Sequence, residues 1–277
     1  MYTIEDVTIF CDGLDHPECV AIHPDGSVWA GGEGGQVYRV TKDGKQITEV
    51  CNTGGFILGL AFSPDLSWLA VCDLKNCCVW KFDLQLKQLS RLSAHLNIPN
   101  YPVFDESGNL YVSDSGAFHT VTGKIYRFDK NGDGRIWHAG PFNFCNGMAL
   151  SPDRKYLFVA CTWIPGVERI EIGSAGEPKH REVFVTFPKT CPDGLAFDNA
   201  GNLYVSFYAP NAIYVVNSNR KPTLLIEDWE AHTLCNPTNM AFGGENFNEL
   251  FFANLGRWHI GKLKLEATGS KLPCHRL

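Results

Sequence analysis

The sequence predicts an all-β fold, a six-bladed β-propeller with four antiparallel strands per blade, and three observations predict it. One short phrase recurs six times, opening at Pro17, Ile57, Pro99, Cys145, Cys191 and Asn236. Each copy runs through a turn into a second apolar strand. The recurrence period of about 40–50 residues belongs to radially stacked four-stranded blades.

The elements follow in order. The phrases read Pro-Glu-Cys-Val-Ala-Ile, Ile-Leu-Gly-Leu-Ala-Phe, Pro-Asn-Tyr-Pro-Val-Phe, Cys-Asn-Gly-Met-Ala-Leu, Cys-Pro-Asp-Gly-Leu-Ala-Phe and Asn-Pro-Thr-Asn-Met-Ala-Phe. Second strands are expected at Ser27–Ala30, Trp68–Val71, Leu110–Val112, Tyr156–Val159, Leu203–Val205 and Leu250–Ala253. The turns between, among them Pro24–Gly26, Ser63–Asp65, Ser151–Asp153 and Asn199–Gly201, hold the Pro, Asp and Gly that hairpin backbones need. Third strands are read at Gln36–Val40, Val79–Phe82, Lys124–Phe128, Ala212–Val216 and His259–Leu263, and weaker fourth strands at Ile47–Cys51 and Lys221–Ile226. The sixth repeat lacks a fourth strand, and Tyr2–Phe10 precedes the first repeat with nothing of its own to pair with. An N-terminal strand closing the last blade removes both loose edges. The whole of residues 1–277 then forms one domain, with residues 266–277 a loosely held tail. No helix start with a sustained helical period is present.

Composition narrows the function. The net charge of −6 argues against nucleic-acid binding, which wants a basic face. No apolar run reaches the ~18 residues that span a membrane. The start Met-Tyr-Thr-Ile-Glu-Asp lacks the features of a secretory signal, so a cytoplasmic protein is expected, monomeric or weakly dimeric. The eleven cysteines are scattered without a Cys-x-x-Cys pair and read as buried thiols, not as disulfides or a zinc site. Asp129–Gly134 copies the opening of a calcium loop but has glycine where the closing glutamate belongs, and reads as a hairpin turn. Gly31–Gly35 lacks the following helix of a phosphate cradle and also reads as a hairpin.

In a propeller the start of each innermost strand faces the mouth of the central channel. Five of the six starts carry a carboxylate or an amide: Glu18, Asn100, Asn146, Asp193 and Asn239. One such residue is ordinarily a turn former. Several converging on one axis are different, because carboxylates that repel one another while losing hydration require a cation between them. The set offers hard oxygen ligands suited to a divalent ion.

Pro17-Glu18, Pro99-Asn100, Asn146-Gly147 and Pro192-Asp193-Gly194 resemble, in order and spacing, the metal-site motifs of the SMP-30/gluconolactonase family, which includes regucalcin. The likeness extends over essentially the whole chain. It implies a metal-dependent hydrolase that opens a small sugar lactone of the aldonolactone type. It also implies that Glu18, Asn146 and Asp193 hold one divalent cation (Ca, Zn, Mn or Fe(II)), with Asn100 beside it as a ligand or a substrate contact. Where family members often carry an Asp after the motif Asn and an Arg two residues before it, this chain has Tyr101 and Ile98. A basic clamp on the substrate is therefore missing at that spot.

The bound cation would stabilise the oxyanion formed on the lactone carbonyl, and Asp193 is the candidate general base, with ligation alone as its other role. Tyr101, Phe118, His119, Trp163, Tyr208 and Trp258 are candidate walls of the substrate site, each of which could equally pack between blades. Two other readings compete. Pro192–Val216 also resembles an NHL-type interaction repeat, which would make the protein a binding propeller without catalysis. A strictosidine-synthase-like condensation would use one glutamate and leave Asn146 and Asp193 unexplained.

Overall fold

The computed structural model, which describes residues 2–276, contains six four-stranded antiparallel sheets. Blade 1 is Val20–Ile22, Val28–Gly31, Gln36–Val40 and Ile47–Asn52. Blade 2 is Ile57–Phe62, Trp68–Asp73, Cys78–Asp83 and Leu89–Arg91. Blade 3 is Pro99–Phe104, Leu110–Asp114, Gly123–Phe128 and Gly134–Phe142. Blade 4 is Cys145–Leu150, Tyr156–Cys161, Gly166–Ile172 and Pro178–Thr186. Blade 5 is Cys191–Phe197, Leu203–Ala209, Ala212–Val216 and Pro222–Glu227. Blade 6 is Pro237–Gly243, Glu249–Asn254, His259–Lys264 and, from the other end of the chain, Val7–Asp12.

The closing strand pairs Val7 with Leu263 and Asp12 with His259. It starts later than the sequence pattern suggested, because Ile4–Asp6 forms a 3₁₀ turn and the Tyr2 amide donates to Leu225 O of blade 5 at 3.0 Å. Asp129–Gly134 is the hairpin turn expected of it, with the Gly132 amide bonded back to Asp129 O.

The core lies between blades. Each of six buried clusters joins one pair of neighbours, and a recurring contact sets their spacing. An aromatic ring on the second strand of one blade meets, edge to face, the Phe that ends the innermost strand of the next. Trp29–Phe62, Trp68–Phe104, Phe158–Phe197 and Tyr204–Phe242 have ring centroids 5.3, 4.9, 5.0 and 5.1 Å apart. Such pairs add to area burial and fix orientation.

Residues 266–276 correct the expectation of a loosely held tail. They cross the far end of the channel, where Pro273 and Cys274 are buried against the strand ends. The Asn199 and Gly269 amides bond to Thr268 O and Phe247 O, and the His275 ring nitrogen lies 2.8 Å from Ile22 O. The physical reason is an open ring of apolar strand ends that would otherwise face water. A cavity of about 80 Å³ remains above the plug, lined by Leu60, Tyr101, Met148 and Met240 among others. No helix among the described residues is long and apolar enough to cross a membrane.

Candidate active site at the channel mouth

At the opposite end the innermost strands leave their ladders. Pairing with the second strand skips between Pro99 and Pro102, Cys145 and Met148, Pro192 and Leu195, and Pro237 and Met240. The skipped residues are Asn100-Tyr101, Asn146-Gly147, Asp193-Gly194 and Thr238-Asn239. Such bulges re-aim side chains that a regular strand would present to its own sheet.

Second-strand hydroxyls take over the broken bonds and stitch blade to blade. Ser113 Oγ accepts from the Tyr101 amide at 3.0 Å and donates to Asn146 O of the next blade at 2.8 Å. Ser115 Oγ donates to Cys145 O at 2.7 Å, Thr162 Oγ1 to Pro192 O at 2.9 Å, and Ser206 Oγ to Thr238 O. Glycine lets the blades close in. A side chain at Gly147 would collide with the Asp193 carbonyl and lie 2.8 Å from Asn239 Oδ1, and one at Gly194 would lie 2.6 Å from the Asn239 Cα.

Asp193 is buried, and Asn239 Nδ2 sits 3.4 Å from its Oδ1 and 3.4 Å from Glu18 O. The Asn239 amide also donates to Glu18 O at 3.2 Å, so blades 1, 5 and 6 are tied together at the axis. Asn146 donates through Nδ2 to Thr162 Oγ1 at 3.3 Å, and Asn100 Nδ2 to Ser115 Oγ at 3.1 Å. Donation by both amide nitrogens leaves their side-chain oxygens to act as ligands.

The electrostatics mark a shared site. Burial lifts the Asp193 carboxyl to about 7, with an Asn146 hydrogen bond partly offsetting it. Glu18 is raised well above the ordinary range, first by loss of hydration, then by the negative charges of Asp193 and Glu33. Glu18 is half-buried at the rim. Tyr208, exposed near the end of Leu203–Ala209, has its phenol raised by burial and then by the charges of Glu18 and Asp193. The Asn239 Oδ1 is buried without a hydrogen-bond partner. Two repelling carboxylates, two free amide oxygens and an orphaned carbonyl oxygen fit a hard divalent cation.

The other candidates are placed as follows. His119 stacks on Trp163 at 5.0 Å and Phe118 lies 5.2 Å from Phe144, all on the entrance side. Trp258 packs against His16 at 4.4 Å. Tyr101 is buried and lines the cavity inside the channel, and its phenol is raised by burial and, more weakly, by Cys19, Cys72 and the Asp193 carboxylate.

Several further groups meet at this end of the channel. The Ser/Thr stitches had one signal, hydroxyl residues within or just after largely apolar second strands, as Ser113 and Ser115 at Leu110–Asp114. Asp15, His16 and Glu33 also converge beside Glu18, with His16 Nδ1 2.9 Å from an oxygen of each carboxylate. The loop Gly31–Gly35, a hairpin as expected, brings Glu33 there, and the Gly34 amide donates to Asp15 Oδ2 at 3.0 Å.

Residues 87–255 match the family described as SMP-30/Gluconolactonase/LRE-like region. Shorter segments match a strictosidine-synthase-like N-terminal region (residues 8–40) and a WD repeat (residues 44–81). A gluconolactonase of Zymomonas mobilis is 28% identical over 181 residues, covering 57% of this chain and 50% of that protein. The chain spans half or less of the length of the first curated relatives it matches. Among solved structures, a calcium-binding protein, regucalcin, from Agrobacterium tumefaciens superposes with a TM-score of 0.81 at 19% identity, covering 97% of each chain. A gluconolactonase from Xanthomonas campestris gives 0.79 at 20% identity, covering 94% of this chain and 89% of that one. At these identities the superpositions speak for the fold.

Proposed function

The chain belongs to the SMP-30/gluconolactonase/LRE-like family, and from that premise we propose that it is a divalent-metal-dependent hydrolase opening the ester of a small lactone, with the sugar-derived class as the starting point. The observation that supports the reading is the tie Asn239 makes between Asp193 and the Glu18 carbonyl, with Asn146 hydrogen-bonded to Asp193 and the Asp193 charge felt by half-buried Glu18. The names of the relatives, gluconolactonase among them, support the reaction type.

Glu18, Asn146 and Asp193 would hold the cation, which when bound supplies Lewis-acid polarisation of the lactone carbonyl and charge stabilisation of the oxyanion. The remaining work falls to the chain. Asn100 and Tyr208 orient the lactone over the ring, and the aromatic side chains above it keep bulk water out. Asp193 accepts a proton as the water oxygen bonds to the carbonyl carbon. The acyl–oxygen bond then breaks, and the departing ring oxygen takes a proton. One water is added and one hydroxy acid results.

A binding propeller without catalysis is the second reading. It gives no reason for a buried carboxylate, Asp193, to face a half-buried one, Glu18, at the channel mouth. A panel of lactones followed by pH indicator separates the two. Asp193→Ala should retain the fold by circular dichroism and lose at least ~100-fold in turnover. Wild-type turnover in that variant removes Asp193 from the chemistry.

A further inference from the structure

Five of the six channel-mouth positions are polar, and the sixth is Leu58. It occupies the skipped position of blade 2, between Ile57 and Gly59, matching Asn100 and Asn146 in the next two blades. A side chain at Gly59 would press on the Asn100 carbonyl, so Leu58 stands directly beside the polar ring.

Leu58 does not belong to any of the six clusters that hold blades together. With Ile98 and Phe144 it forms a separate buried group, flanked by Phe56 and Leu74. Phe118 covers Phe144 at 5.2 Å, Trp163 lies 5.6 Å from it, and His119 stacks on Trp163. Phe118 is 55% and Trp163 37% exposed, so this wall continues from the buried ring out to solvent. The exposed aromatics Phe118, Trp163, Tyr208, Trp229 and Trp258 all lie at this end of the propeller. An alkyl or aryl substituent laid along this wall would bury its apolar surface against Leu58, Phe144, Phe118 and Trp163.

Resting on the lactonase reading, we propose that the channel mouth is bipartite and that the substrate is a lactone bearing an alkyl or aryl substituent. The ester sits over Glu18, Asn146 and Asp193, and the substituent lies along Leu58, Phe144, Phe118 and Trp163. Leu58 is then the residue that sets specificity.

The test compares δ-valerolactone, its 6-phenyl derivative and glucono-δ-lactone, with metal-reconstituted protein. The kcat/KM for the phenyl lactone should exceed that of each of the others by at least ~10-fold. Leu58→Asn, and separately the surface change Phe118→Ala, should shrink that ratio several-fold. A preference for glucono-δ-lactone, or a ratio unmoved in both variants, overturns the proposal. If no lactone is opened, the lactonase reading fails while the wall is still tested by calorimetry with non-hydrolysable 2-phenyltetrahydropyran. Binding that Phe118→Ala and Leu58→Asn weaken supports the apolar subsite, and no binding to the wild type overturns it.

Discussion

Asp193→Asn should stabilise the metal-free protein while disabling it. The substitution keeps size and shape and removes the buried one of two repelling charges. A carboxyl lifted from an ordinary ~3.9 to about 7 carries an unfavourable charge worth roughly 4 kcal/mol once ionised. Because Glu18 shares the strain, a gain of about 2–4 kcal/mol is expected from removing it. The sign with pH follows from proton counting. Between the unfolded and folded values the folded state binds the extra proton, so wild-type stability falls as pH rises through that window and levels off above about 7. Below ~4 both states are protonated and the variant has no advantage. Urea denaturation in chelator at pH 8 and pH 4 measures both limits. Saturating divalent metal should reverse the order, because only the wild type retains the full ligand set and is stabilised by binding. A variant no more stable than the wild type in chelator at pH 8 would refute the coupled-carboxylate picture.

Gly147→Ala places a methyl against the Asp193 carbonyl, 2.8 Å from the Gly194 Cα. It should cost about 1–3 kcal/mol in denaturant melts and weaken metal binding; an unchanged melt would show that the blades have slack there. The His275 value is lowered by burial, beside Lys271 and His23, while its ring meets Ile22 O and packs on Phe247 at 4.8 Å. The undocked tail therefore binds the extra proton below about 6.5. Tail docking should be intact above that pH and weaken on acidification, read as hydrogen exchange of residues 270–276. His275→Gln should remove the pH dependence.

The parts of the fold that were legible in the sequence are those written as repetition. Each innermost strand announces itself by its phrase, and Gln36–Val40 and Ala212–Val216 run as the pattern gives them. Glu18, Asn146 and Asp193 stood out because polar residues recur where apolar ones would serve packing. Asn239 was visible by the same rule, yet its bridging of Glu18 and Asp193 depends on ring closure, which spacing does not reveal. The His16 group was hidden for a related reason: Glu33 reaches it from the loop between the second and third strands of blade 1. Leu58 was hidden as an ordinary strand residue, since only the broken register shows that it faces the mouth. The packed tail was not legible because it follows no repeat, and its apolar residues gain their meaning from the open ring they plug.

The most direct measurement is lactone opening by protein stripped with chelator, verified metal-free by elemental analysis, and then titrated with a divalent cation. Turnover should be absent at the start and rise to a plateau at one equivalent per chain, with Glu18→Gln and Asn146→Ala shifting the titration to higher metal. Undiminished turnover in the metal-free protein would contradict a cation-centred site at the channel mouth.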